Sequence, residues 1–502
     1  MTDFPTLATT PATTRRPRSA YRALLAVVLS AVLGFAGLSC STNPATGQRQ
    51  LSLIGEEQEV AMGREADQQI SQAMGLYPDE ELQRYVNAVG QRLAAESERP
   101  NLPWTFRVID DPTVNAFALP GGYIYLTRGI MTYFNNEAEM ASVLGHEIGH
   151  VTARHSVEQL SRQQLAGLGL GIGMILSPEL REFGDLAQTG MGLLFLKYGR
   201  DDERQADSLG LRYMVREDYD PSQMPNVFET LARVSDASGG QRLPGFLSSH
   251  PDPQARAQRI RGALGDAENQ TAVARVARED YLGRLDGTVF GEDPRQGFFE
   301  GNTFYHPELR FSLRFPNGWK TVNQRTAVAA ISPKEDAVVV LQHANASSPE
   351  AAAREFFNQQ GLRAGRAQAR NLNGLDSVSG QFEVPRQQQG AADIAGIATF
   401  VEHRDTVYQI IGYTTENRWR SYGSALDGSL ASFGRVTDRR ILDVEPARID
   451  IVRLDRAMTL REFQQRYNRS ADLQELALIN QLGTNTRLEA GSQVKRLVGG
   501  RR

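Results

Sequence analysis

The chain has 502 residues with 55 basic and 59 acidic side chains, a formal net charge of −4, and 40% hydrophobic against 23% charged residues. These values exclude a fibrous or broadly disordered protein and leave room for about three globular units rather than one. With no basic excess to meet a phosphate backbone, nucleic acid is excluded as a partner.

At the N-terminus Arg15, Arg16, Arg18 and Arg22 precede an apolar stretch from Ala23 to Leu38, followed by small residues and Cys40. That order predicts a secretory signal over residues 1–39, because the apolar stretch falls short of the roughly 20 residues that span a bilayer. Cys40 is the only cysteine, so no internal disulfide can form. Its position resembles that of the lipidated cysteine of bacterial lipoproteins, with Gly37 standing where leucine is usual. Lipidation of Cys40 would tether the protein to a membrane, the outer more readily than the inner. Without residues 1–39 the chain keeps 51 basic and 58 acidic residues, as expected of a mildly acidic protein of the periplasm or cell envelope.

Helical periodicity runs from Glu56 to Met74, and Pro78-Asp79 opens a second amphipathic helix through Leu82, Val86, Val89 and Leu93. Trp104 to Ile109 alternates as a strand, and Asn115 to Tyr125 reads as a second strand region turned at Pro120-Gly121-Gly122. Asn135-Asn136 caps a helix predicted to continue to about Gln164. The glycine-rich run from Leu165 to Leu176 is too short to cross a membrane; it either packs under that helix or forms a lid. Helical pattern resumes from Asp185 to Met214 and from Asn226 to Val234, giving a mainly α unit over 40–265, followed by a linker over 266–302.

From Phe304 onward, short alternating segments such as RFSLRF, AVVVLQ and VYQIIGY predict an α+β unit with an antiparallel sheet over 303–438. Its segment FSLRFPNGW resembles the opening of PsbP-like domains. Residues 447–499 read strand, helix, helix, strand, through IDIVRL, TLREFQQRY, DLQELALINQL and LEAGSQVKRLV. This βααβ order resembles the LysM domain, which implies binding to peptidoglycan; a plain βααβ spacer remains an equal alternative.

The chemistry concentrates in His146-Glu147-Ile148-Gly149-His150. Residues four apart on a helix stack on one face, so both imidazoles can grip one ion, with Glu147 beside them as general base. A third protein ligand would leave a fourth position for water, whose proton the carboxylate could take. A histidine six places after the second is the ligand of one class of such sites; Ser156 holds that place and excludes it. His155, nine positions after His146, falls about half a turn out of phase and is expected to point away as a surface or structural histidine. Glu203 and Asp207 then offer two carboxylates on one face of a later helix.

HEIGH with Glu-x-x-Ala-Asp some fifty residues later resembles the zinc metallopeptidase family of the CAAX prenyl endopeptidases and heat-shock membrane proteases. Asn115 to Gly122 and Tyr198-Gly199-Arg200 add to the likeness, which covers residues 45 to 265. The layout is similar to the soluble envelope branch of barrel-assembly-enhancing proteases, though without the tetratricopeptide repeats found there. The resemblance implies a gluzincin peptidase fold with a small edge sheet and one Zn2+ per chain. It assigns His146, His150 and Glu203 as ligands, Glu147 as base, and Asp207 as proton donor or support of a ligand histidine. His250, in Ser248-Ser249-His250-Pro251, either caps a turn or reaches the metal or its water, as a transition-state donor or as a fourth ligand that shuts the site.

The function expected is zinc-dependent endopeptidase action on unfolded or unassembled envelope proteins in quality control, with the strand at Tyr123 to Leu126 as the edge that pairs substrate backbone. The alternative is a zinc-binding chaperone or peptidoglycan-attached adaptor with little proteolysis. Glycan hydrolysis finds no carboxylate pair in the C-terminal segment to support it.

Overall fold

The computed structural model describes residues 40–170, 193, 196–237, 246–264, 274–385, 392–468 and 471–500. The expected signal over 1–39 and the second half of the glycine-rich run lie outside them.

The two N-terminal helices form as the periodicity predicts, Glu56–Met74 and Glu80–Ala95. Asp79 caps the second by accepting from the Leu82 amide at 2.9 Å. Leu82, Val86, Val89 and Leu93 line its buried face and enter the main core. The three strands that follow form one mixed sheet. Thr105–Ile109 runs parallel to Tyr123–Thr127, and Ala116–Leu119 runs antiparallel to it on the other side. Tyr123–Thr127 is therefore the central strand, and the expectation that it forms the edge is corrected: the edge beside the ligand-bearing helix is Ala116–Leu119. Gly121 and Gly122, at φ 78° and 101°, make the turn between them, a backbone region that side chains with a Cβ avoid.

The helix that carries the histidine motif spans Glu137–Thr152, and all its residues are buried. Asn136 caps it, accepting from the Glu139 amide at 2.8 Å, while Glu139 reaches back to the Asn135 amide at 2.7 Å. The predicted continuation to Gln164 is interrupted. Arg154 adopts φ 61°, held there by bonds from its guanidinium to Glu59 at 2.9 Å and the Ile54 carbonyl at 2.8 Å, and a separate helix starts at His155. Tertiary contacts override a helical sequence at that point.

The motif helix packs against Arg200–Arg216 closely enough that only glycine fits between them. A Cβ on Gly210 would stand 2.8 Å from the His146 nitrogen, and one on Gly149 would stand 3.0 Å from the Ala206 Cα. This contact brings the carboxylates of the second helix to the histidines of the first.

The stretch 266–302, expected as a linker, instead carries the helix Arg278–Leu285. Its Tyr281, Leu282 and Leu285 are fully buried in the main core, because apolar residues at that spacing give a helix a side to bury. Antiparallel strands from Phe298 to Arg435 then form an eight-stranded and a four-stranded sheet with core clusters of their own. The C-terminal segment has the expected strand, helix, helix, strand order, with Ala447–Arg453 paired to Gln493–Gly499. Ile449, Leu476 and Ile479 belong to the same core as the motif helix, so the last segment packs on the first unit.

Candidate metal centre

His146 and His150 project from one face of the motif helix, as four-residue spacing requires, and their Nε2 atoms stand 3.0 Å apart. Glu203, one turn into the facing helix, sets Oε1 3.4 Å from His150 Nε2 and Oε2 3.6 Å from His146 Nε2. His250, on the turn after the short helix Phe246–Ser249, places Nδ1 3.2 Å from His146 Nε2 and 2.8 Å from Glu203 Oε1. These four side chains can each offer one ligand atom within 4.8 Å of the others, and all four are buried. Tetrahedral ligands about 2.0–2.1 Å from a common ion stand roughly 3.3–3.4 Å apart, which the observed spread of donor separations brackets. Basic nitrogens and carboxylate oxygens converging on one buried point fit a divalent cation of the zinc type.

Glu147 lies beside this group with both carboxylate oxygens buried and, among the described residues, without a hydrogen-bond partner, Oε1 being 3.6 Å from His250 Nε2. Burial pushes its pKa up to about 7. Burial, reinforced by the Arg256 charge, lowers His146 to about 3, leaving its ring neutral and able to ligate. Burial works against ionising Glu203, yet its histidine partners, His250 foremost, hold the carboxyl well below the usual range.

The far nitrogens of the two motif histidines are also held. His146 Nδ1 faces Asp207 Oδ1 at 3.1 Å. His150 Nδ1 faces His155 Nδ1 at 2.9 Å, and His155 Nε2 donates to Gln205 Oε1 at 2.8 Å. The amide oxygen only accepts, so His155 carries its proton on Nε2 and accepts at Nδ1. His150 must then carry its proton on Nδ1, which leaves its Nε2 lone pair aimed at the centre. The expectation that His155 points away, as a surface or structural histidine, is thus corrected: it is 3% exposed and orients a motif histidine. Helical phase could not place it, because the helix breaks at Arg154 before His155 is reached.

A further residue at the site, Arg256, is not marked by the motifs. Its guanidinium is buried over the Phe228 ring at 4.0 Å and contacts Asp207 at 2.6 Å and Glu203 at 2.9 Å. An arginine on the buried face of the helix Pro253–Leu264 was the available signal, since charge there needs a partner. Tyr198 stacks on His150 with ring centroids 3.9 Å apart, and its hydroxyl meets Ser156 Oγ at 2.9 Å. Phe246 stacks on His250 at 4.4 Å. The Phe246 amide donates to the Val114 carbonyl at 3.0 Å, tying the His250 segment to the start of the edge strand.

Residues 80–264 match the model of peptidase family M48. Among curated proteins, the chain is 31% identical over 242 residues to the beta-barrel assembly-enhancing protease of Escherichia coli, covering 46% of this chain and 47% of that one. It is 32% identical to the protein of the same name from Yersinia pestis, covering 48% and 50%. It is also 32% identical to the mitochondrial metalloendopeptidase OMA1 of Schizosaccharomyces pombe, covering 45% and 66%. The match spans about half the length of the bacterial relatives.

Proposed function

We propose that the peptidase family M48 domain formed by residues 80–264 is a zinc-dependent endopeptidase centre, with His146, His150 and Glu203 as the residues that hold the ion. The observation that carries this reading is the convergence of those donors beside a buried carboxylate, Glu147, that has no hydrogen-bond partner among the described residues. When bound, zinc supplies Lewis acidity to a water molecule and to a peptide carbonyl. Glu147, with a pKa near neutrality, is suited to take a proton from the attacking water and pass it to the leaving amine. Asp207 holds His146 at Nδ1, and the His155–Gln205 pair holds His150, so neither ring can turn away.

The outer edge of Ala116–Leu119 makes no backbone pairing among the described residues and offers a place for an extended peptide to add as a strand. The substrates proposed are unfolded or unassembled proteins of the cell envelope, in keeping with an exported chain. Among the described residues no helix is long and apolar enough to cross a membrane. The C-terminal segment, LysM-like in its order of elements, is the proposed route to peptidoglycan.

A second reading, a zinc-holding adaptor with little proteolysis, is favoured by one observation. His250 stands where a fourth ligand would fill the last position and shut the site. Residues 41–502 can be purified, assayed for bound zinc and given an unfolded protein, with Glu147→Gln alongside. Zinc near one equivalent and cleavage lost in the Gln variant is the expected result. Zinc at one equivalent with no cleavage separable from that variant would favour the adaptor.

A further inference from the structure

The chain reaches the motif helix through Thr132, Tyr133, Phe134 and Asn135, whose carbonyls follow a single helical turn, Arg128–Met131, and call for donors. Side chains from far along the sequence supply all four. Lys495 Nζ donates to the Thr132 and Phe134 carbonyls, and Gln481 Nε2 donates to the Tyr133 carbonyl at 2.9 Å. Arg278 donates to the Asn135 carbonyl at 3.0 Å.

Lys495 is fully buried, and its third donor goes to the Ile479 carbonyl at 2.9 Å, so all three ammonium hydrogens are used. Gln481 also donates to Glu139 Oε2 at 2.8 Å, and the Asn135 side chain donates to the Ile479 carbonyl at 3.3 Å. Glu139 lies seven residues before His146, two turns along the same face, about 10.5 Å away on the helix axis. Gln481 therefore grips the helix that carries the histidines on the side from which they project, while Lys495 holds the segment that leads into it.

We propose that Lys495 and Gln481 are positioning residues of the metal centre: by fixing how the chain enters the helix, they set where His146, Glu147 and His150 stand. The inference rests on the reading of that centre as a zinc site. A helix is stiff, so a tilt of roughly 5° pivoting at Asn136 would move His146, about 15 Å along the axis, by about 1.3 Å. Displacement of that size costs an active site up to about a hundredfold in rate. The C-terminal segment is thus a component of the catalytic assembly, whatever else it binds.

The test uses residues 41–502 carrying Lys495→Met, Gln481→Ala or, as a control on an exposed face of the same segment, Arg461→Ala. Cobalt(II) is loaded in place of zinc and its visible spectrum recorded; kcat, KM and amide hydrogen exchange over Glu137–Thr152 are measured on the same samples. Expected are shifted cobalt bands, a fall in kcat of about tenfold to a hundredfold with KM little changed, and faster exchange in the first turns of the helix, with the control unchanged. A folded Lys495→Met with the parental spectrum, kcat and exchange would overturn the proposal. If that variant does not fold, Gln481→Ala decides by the same criteria. Should the parent bind no cobalt, the zinc reading fails, and unchanged exchange in the variants would then sink this inference separately.

Discussion

Gly210→Ala probes the contact between the two helices that assemble the centre. The added methyl would stand 2.8 Å from the His146 nitrogen, 3.0 Å from the Gly145 carbonyl carbon and 3.1 Å from the His146 Cα. All three are backbone atoms that no rotamer change can clear. Ordinary contact is about 3.5–4.0 Å, so the helices must part by roughly 0.5–1 Å. Overpacking of that kind costs about 1–3 kcal/mol, against about 1 kcal/mol gained by alanine over glycine inside a helix. The net expectation is a loss of up to about 2 kcal/mol, with Glu203 drawn away from both histidines and zinc affinity lowered by about tenfold or more. Gly262, on the exposed face of Pro253–Leu264 with nothing within 4 Å of its would-be Cβ, supplies the contrast. Gly262→Ala should gain about 0.5–1 kcal/mol and leave zinc binding alone. Denaturant unfolding of the metal-free protein and competition with a chromogenic chelator measure the two quantities. A Gly210→Ala protein as stable as its parent, binding zinc equally well, would refute the packing argument.

His155→Ala should weaken zinc binding by about tenfold to a hundredfold and cost about 1–3 kcal/mol of stability, because the far nitrogen of His150 loses its buried acceptor; an unchanged affinity would return His155 to a purely structural role. His250→Ala should lower zinc affinity and raise the rate on an unfolded substrate if the residue shuts the site, and parental values for both would end that idea. Treatment with a chelator should abolish cleavage and added zinc restore it, whereas activity surviving full removal of metal would contradict the proposed chemistry.

The motif helix and the helix bearing Glu203 and Asp207 were legible because four-residue spacing maps directly onto one helical face. His155 was not. Its phase was extended through Arg154, where an ion pair with Glu59, 95 residues earlier in the chain, bends the backbone out of the helix. The edge strand was misread for a related reason. Alternation marks a strand without naming its neighbours, and the parallel pairing of Thr105–Ile109 with Tyr123–Thr127 depends on residues that sequence order keeps apart. Gln205 and Arg256 carry ordinary polar identities on amphipathic helices, and only the folded chain reveals that Gln205 holds the histidine behind His150 and that Arg256 is aimed at His146 and Asp207.

The shared core of the first and last segments also bears on how the protein comes into being. Thr132 and Lys495 are separated by 363 residues, and the antiparallel sheets with their independent cores lie between them. Contacts so distant close late, since the loop that joins them must be ordered or crossed first. A chain emerging N-terminus first therefore presents the histidines long before the carbonyls that lead into their helix find their donors. Heat or denaturant should in turn release the sheets as one cooperative block and the two terminal segments together as another. A centre built this way stays incompletely assembled until Lys495 has been delivered.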